Sequence, residues 1–481
     1  MPIKPRSTKR SPRSSGDFES RAKPRFGNFK PARGRDRDRD RDDRRRDNNG
    51  SEDDGPAPSP VTPIPTPPAK KEFVVEAFDK LWTELFLTQT HLDSALSKQH
   101  KSVKSILAQI TPIVLMKPVS IAQALGVGVM KGEPWKLKNP DLAHWRPSVM
   151  MAERLYSLMT GKFVQPKSME QDFPPVMTES WRTEYGEAVM RELIESLSQE
   201  APLSLRAARS IDPAQLVQEL KKEAKLSVKI EPSGIAPSGV RLGGYAQILN
   251  TSIYEKGRFE IQDEGSQLMS LFALWPDEIG KLLKPRPGRV ENMKFKIPAN
   301  VPAWTVVDAC AGAGGKSLAI ADALKGKGRV YSYDTSKGKL EALRRRATRA
   351  GVNNIQTVVL KEGEEKATIA KFKQRANVVL VDAPCSGWGV LRRNPDIKWR
   401  QTPDVLERMP VIQKRLLSLY ASLAQAGGRL VYGVCTFRKA ETIDIVADFL
   451  ENHPEFEKGP GGFLGPSPCD GFFMQSFTKK G

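Results

Sequence analysis

Five apolar segments, at Thr305–Asp308, Val330–Asp334, Ile355–Leu360, Val378–Asp382 and Arg429–Cys435, punctuate the last third of the chain. Helical periodicity fills the gaps between them, in "SLAIADAL", "KGKLEALRRRATRA", "VIQKRLLSLYASLAQA" and "TIDIVADFLEN". Short, near-continuous apolar strands alternating with helices predict a doubly wound α/β sheet, because each strand needs cover on both faces. Such sheets bind ligands at the carboxyl ends of their strands. Chemistry is therefore expected where these segments end.

At 481 residues the chain has room for about two to four domains. Residues 1–70 read as a disordered basic and proline-rich tail. There "RGRDRDRDRDDRRRDNNG" alternates charge with nothing to bury, and "GPAPSPVTPIPTPP" follows as an extended spacer. Residues 71–198 read as a helical domain. Val74, Phe78, Leu81 and Leu85 fall on one stripe of "FVVEAFDKLWTELF", and "WRPSVMMAERLYSLM" behaves alike. Residues 199–262 read as a small α/β domain, from "LSLRAAR", "DPAQLVQELKKEA", "LSVKIEP" and "VRLGG", and residues 263–481 as the doubly wound domain.

The formal net charge is +20, of which the tail, with 18 basic and 11 acidic side chains, supplies only +7. The body is basic in its own right, which points to a nucleic-acid partner. No apolar run approaches the ~18 residues of a membrane span, and the N-terminus lacks an apolar signal region. The four cysteines, at 310, 385, 435 and 469, form neither a disulfide framework nor zinc-type C-x-x-C pairs. The expectation is a cytoplasmic, monomeric protein with reduced thiols, no metal and no membrane association.

"DACAGAGGKS", residues 308–317, is the glycine-rich turn after the first of the five strands. A nucleotide P-loop needs a glycine where Cys310 stands. A dinucleotide fold begins correctly at Gly312-Ala313-Gly314, but Ser317 occupies the third glycine position. S-adenosylmethionine needs close backbone approach without a pyrophosphate to hold, and the loop Cys310, Ala311, Gly312, Ala313, Gly314, Gly315 and Lys316 suits it. Asp334, 22 residues after Gly312, ends the second strand where a carboxylate can bind a ribose diol. Dinucleotide and methyl-donor folds share that device.

Two cysteines sharpen the choice. Cys385 follows the fourth strand and its Asp382, and Cys435 ends the fifth, so two thiols meet a cofactor loop at strand ends. On these residues the chain resembles the RsmB/Sun family of RNA cytosine-5 methyltransferases. "DACAGAGGKS" is similar to the family's cofactor loop, "DAPCSGWGVLRRNPDIKWR" to its central motif, and "VYGVCTF" to its second-cysteine motif. "FEIQDEGSQLMS", "DGFFMQSFTKK" and "PLSLRAARSI" resemble further family segments, over roughly residues 200–481.

The resemblance implies a class I methyltransferase, a Rossmann-like α/β fold, preceded by the small α/β RNA-binding domain and the helical region. It implies S-adenosyl-L-methionine as cofactor, held by the 310–316 loop with Asp334 and Asp382. The substrate it implies is a cytidine, in ribosomal RNA ahead of transfer RNA. Cys435 would add to carbon 6 of the base and make carbon 5 nucleophilic. Cys385 would assist release, Asp382 would contact the base, and Lys316 would face the cleft. A thiol suits this role because it attacks readily near neutral pH and leaves readily. Arg392, Arg393, Lys398 and Arg400 would then be phosphate contacts.

The chain departs from the family at Gly433-Val434 before the second cysteine, at Thr442, at Lys361-Glu362 after the third strand and at Ala208. Two other readings stand beside the first. DNA cytosine-5 enzymes take their nucleophile from a Pro-Cys pair like Pro384-Cys385. A degenerate methyltransferase could bind RNA as an assembly factor.

Overall fold

The computed structural model describes residues 71–87, 91–117, 120, 170–223, 228–243, 248–292 and 295–481. The tail of residues 1–70 and the helical reading of "WRPSVMMAERLYSLM" lie outside the described residues.

Strands β1 (Leu203–Ala207), β2 (Ile230–Pro232), β3 (Gly239–Leu242) and β4 (Phe259–Ile261) form a small antiparallel sheet in the order β2-β3-β1-β4. Helix Pro213–Glu223 covers one face, burying Leu216, Val217 and Leu220 with Leu205, Val240 and Phe259.

The large sheet has seven strands. They are β5 (Thr305–Asp308), β6 (Arg329–Asp334), β7 (Ile355–Val359), β8 (Ala376–Asp382), β9 (Ala424–Val434), β10 (Phe456–Leu464) and β11 (Phe472–Lys479), in the order β10-β11-β9-β8-β5-β6-β7. Strands β5 to β9 pair in parallel, while β11 runs antiparallel to β9 and β10 antiparallel to β11. The central strands carry Val, Leu and Ala because both faces are covered: Val306, Val307 and Val378 to Val381 are buried. Local signals start the helices. Ser336 caps Lys337–Arg349, and Thr402 caps Pro403–Ala421, with Pro403 at its first position.

Two stretches differ from the sequence reading. "LAQA", residues 423–426 and read as helix, runs into β9 from Ala424 on, because the amides of Gln374, Arg375 and Ala376 bond to the carbonyls of Ser422 and Leu423 and draw the chain into the sheet. β10, "FEKGPGGFL", carries no strand signal, since Gly459, Pro460, Gly461 and Gly462 all argue against one. It forms through its partner. The Gln475 side chain donates to the carbonyls of Gly459 and Pro460, and a Cβ at Gly461 would lie 2.1 Å from Gln475 Oε1.

Helices Lys71–Leu87, Leu92–Ser97 and Lys101–Met116 enclose their own core, in which Val74, Phe78, Leu81 and Leu85 are buried. Helices Pro175–Tyr185 and Glu187–Leu197 instead join the core of the large sheet, where Trp181 meets Trp388 edge-on at 5.8 Å.

The cations read above as phosphate contacts are turned inward, which corrects that expectation. Arg392 and Arg393 both pair with Asp470, and Arg393 also pairs with Asp263. Lys398 is 1% exposed and donates to the carbonyls of Met116 and Asp172. Burial pulls its ammonium down to about 7, against the pull of Asp172. Arg400 pairs with Asp396 and bonds to His91. Buried and half-buried charges persist only with partners, and those of Lys398 and Arg400 join the 395–400 turn to the segment 91–116. Trp399 completes the contact, donating to the Leu115 carbonyl at 3.2 Å and packing edge-on against Trp82. Trp399→Ala should lower the local stability of the helices of 71–116 by about 3 kcal/mol, seen as faster amide exchange there than across β5 to β9.

Candidate active site

β5 ends at Asp308, and the chain turns through residues 309–314 into helix Gly315–Ala323. Three backbone bonds set the turn: the amide of Ala309 to the carbonyl of Leu380, of Ala311 to that of Tyr333, and of Gly314 to that of Ala311. Its two left-handed glycines serve different ends. At Gly314 a Cβ would meet Leu343 Cδ1 at 2.1 Å, so that glycine is a packing requirement. At Gly312, with φ +55°, a Cβ would meet nothing within 4 Å, so this one borders open space. Asp334, at the end of β6, accepts from the Gly312 amide at 2.8 Å and from the Ser336 amide at 2.7 Å. Each of its oxygens keeps a lone pair for a further donor.

Charge around the loop is concentrated. Burial, then the carboxylates of Asp382, Asp308 and Asp334, push the Cys310 thiol well up. Lys316 Nζ sits 2.7 Å from Asp382 Oδ2. Burial draws this ammonium down, but Asp382 first, then Asp308 and Cys435, together outweigh it and the net shift is upward. Asp308 is fully buried; its Oδ2 accepts from Ser317 Oγ at 2.6 Å, while Oδ1 has no partner among the described residues. Desolvation chiefly raises it to about 6.

On the other side, β8 and β9 run in parallel register with Asp382 opposite Gly433. The strands end together, and Cys385 Sγ lies 3.3 Å from Cys435 Sγ. Contact with Cys435, then burial, raises the Cys385 thiol well above its ordinary range. Both segments are braced from behind. Ser386 Oγ and Thr436 Oγ1 are 2.7 Å apart. The buried Glu441 accepts from the Ser386 amide and from Gln413 Nε2, each at 2.9 Å, and from Arg438 Nη1 at 2.8 Å. The Gly389 amide donates to the Cys435 carbonyl at 2.9 Å, and Gly389's own carbonyl accepts from the Gly471 amide at 2.8 Å.

Sequence reading put Cys310 to Lys316, Asp334, Asp382, Cys385 and Cys435 at strand ends, and the structure brings them to one edge of the sheet. Glu362, weighed as a replacement for an acidic residue after the third strand, is exposed, and no hydrogen bond ties it to the loop. Gln413, Arg438 and Gly389 were missed. The first two sit in ordinary helical and turn contexts, and only "SGWG" hinted that Gly389 is a close approach. At Gly433, a departure from the family pattern, a Cβ would meet the flexible end of Met269, its Cε at 2.7 Å, so a side chain there needs that methionine to shift.

Residues 298–467 match the family described as 16S rRNA methyltransferase RsmB/F. The chain is 30% identical over 339 residues, 66% of its length, to the probable ribosomal RNA small subunit methyltransferase B of Bacillus subtilis, and covers 69% of that protein. The chain belongs to the RsmB/Sun family. With the ribosomal RNA small subunit methyltransferase B of Thermus thermophilus it shares 27% identity over 74% of its own length and 76% of that protein. A solved structure, that of PH0851, superposes with a TM-score of 0.61 at 20% identity, covering 86% of this chain and 100% of that one, a likeness of fold.

This member of the RsmB/Sun family is therefore an S-adenosylmethionine-dependent RNA methyltransferase with the class I fold. The residues present fit the cofactor: open space at Gly312, spare acceptor capacity on Asp334 for ribose hydroxyls, and carboxylates suited to a sulfonium. Among the described residues no cluster of His, Cys, Asp and Glu could hold a metal ion, and no helix is long and apolar enough to cross a membrane.

Two outcomes are expected. Because Asp308 binds its proton more tightly folded than unfolded, it adds stability as pH falls from about 6 toward its unfolded value of 3.8 and loses that contribution as pH rises. Melting curves should show the wild type gaining on Asp308→Asn between pH 7 and pH 4. In Gly389→Ala, a Cβ lies 2.1 Å from the Gly471 carbonyl, and unfolding titrations should show a loss of about 3 kcal/mol together with reduced methyl transfer.

Proposed function

We propose that the enzyme methylates carbon 5 of a cytidine in small-subunit ribosomal RNA through a covalent adduct with Cys435. The observation that carries this reading is the pair of sulfurs, 3.3 Å apart at the ends of β8 and β9, beside the Lys316–Asp382 ion pair. Carbon 5 of cytosine is a weak nucleophile toward a methyl sulfonium. Addition of the Cys435 thiolate to carbon 6 gives carbon 5 the character of an enamine, and a new bond to the methyl group forms there. A bound cofactor would supply an electrophilic methyl group, with a neutral thioether as the leaving group. Loss of the proton on carbon 5 then re-forms the double bond as the carbon–sulfur bond breaks and Cys435 departs as thiolate.

Each neighbour has a task in this scheme. Cys385, raised by its neighbour and by burial, stays a neutral thiol in neutral solution. It can donate to Cys435 while that sulfur carries charge, and it takes part in resolving the adduct. Asp382 faces ring nitrogen 3 and shares a proton with the base there, while Lys316, at 2.7 Å, holds its carboxyl in position. Residues 310–316 with Asp334 hold the cofactor, and the small β1–β4 sheet serves as an RNA-binding module. Support for ribosomal RNA comes from the names of the relatives and of the matching family. A cytidine inside a helix must be flipped out at a cost of a few kcal/mol, which favours a loop or an immature precursor.

Denaturing gels of protein incubated with a small-subunit rRNA transcript and cofactor test the assignment. Cys385→Ala should accumulate a covalent protein–RNA band, Cys435→Ala should give none, and transfer should fall in both. The opposite pattern would make Cys385 the nucleophile, in the manner of a Pro-Cys enzyme.

A further inference from the structure

The catalytic loops occupy the carboxyl ends of the parallel strands, and the amino ends form the opposite pole of the sheet. There the turn before β6 carries Lys325 and Lys327, β6 opens with Arg329, and the helix before β7 carries Arg344. From the small sheet, Arg209 reaches the same turn: a Cβ at Gly326 would lie 3.1 Å from its Nη1. Among the described residues none of these five cations is within ion-pair distance of a carboxylate, and neither 323–333 nor 342–360 contains an Asp or Glu. Other exposed cations, such as Lys80, Lys281 and Lys439, are each paired to an acid. Unrelieved like charge costs stability unless a polyanion answers it.

The relief of this face fits one kind of polyanion. On one side of the turn Arg209, Ser238 and Lys325 border a cavity of about 140 Å³, whose one carboxylate, Asp322, is held by Arg206. On the other, a groove of about 500 Å³ runs between helix Lys337–Arg349 and the edge strand β7. Arg329 and Arg344 line it together with Asn353, Asn354 and Gln356, over a floor that includes Leu343 and Ile355. Asn354 Nδ2 is buried there without a hydrogen-bond partner, a donor in want of an acceptor. Arginines for phosphates, amides for base edges and an aliphatic floor suit nucleotides better than an acidic peptide, which would use the cations alone.

We propose that the strip Arg209–Lys325–Lys327–Arg329–Arg344 is a second RNA-backbone track, distinct from the catalytic cleft and continuous with the small sheet. It rests on RNA being the substrate. Strands of this length separate the track from the thiols by about 20 Å, so it engages RNA several nucleotides away from the methylated base.

The full chain carrying Lys327→Glu, Arg329→Glu and Arg344→Glu tests the track, with a small-subunit rRNA transcript as probe across a salt series. The Kd should rise at least ~10-fold near 0.1 M salt, and the slope of log K against log salt should become shallower by about 2, as expected for lost phosphate contacts. Affinity for S-adenosylmethionine, measured by calorimetry, should stay at the wild-type value and certifies the fold. The milder Lys327→Gln, Arg329→Gln and Arg344→Gln form should shift the slope in the same direction. Unchanged Kd and slope in a variant that keeps cofactor affinity would overturn the track while leaving the methyltransferase assignment untouched. So would loss of polyglutamate binding with rRNA binding intact. A wild-type chain that fails to bind the transcript would remove the RNA reading, and the track with it.

Discussion

The parallel pairing of β8 with β9 is the constraint on which the catalytic edge depends. Asp382 stands opposite Gly433, so both strands terminate at one level and the residues that follow them share one space. From that register come the contact between two sulfurs and the nearness of Asp382 to the thiols. A one-residue slip would turn each side chain of one strand to the other face of the sheet. The bonds around Glu441, Ser386 and Gly389 act behind that register. They hold two loops that, as loops, would otherwise wander, and they do so with buried groups that tolerate little displacement.

The ion pair between Lys316 and Asp382 links the two halves of the edge. Lys316 begins the helix after the glycine loop, and Asp382 ends the strand that leads to Cys385. The glycine loop and the loop that carries Cys385 are thus electrostatically joined across β5 and β8, which are hydrogen-bonded neighbours. Such a pair in a half-buried place is stronger than one on the open surface.

Much of this was legible in the sequence, and for identifiable reasons. Apolar runs such as "NVVLVD" announce buried parallel strands, and strand ends announce where chemistry can sit. The resemblance then supplied roles for particular positions. What escaped were features settled by tertiary partners. β10 is a strand only because Gln475 and β11 make it one. The 392–400 cations looked like an RNA grip because basic residues in a catalytic motif usually are. The structure uses them on Asp470, Asp263, Asp396 and the carbonyls of Met116 and Asp172, acceptors separated from them by up to 282 positions. Charge alone could not reveal which way they face.

The glycine ahead of the second thiol is packed against a residue far upstream. Met269, on helix Glu264–Leu274, fills the volume that any side chain at 433 would need. Positions 269 and 433 are therefore sterically coupled: any side chain placed ahead of Cys435 obliges the flexible thioether of Met269 to swing aside or be shortened.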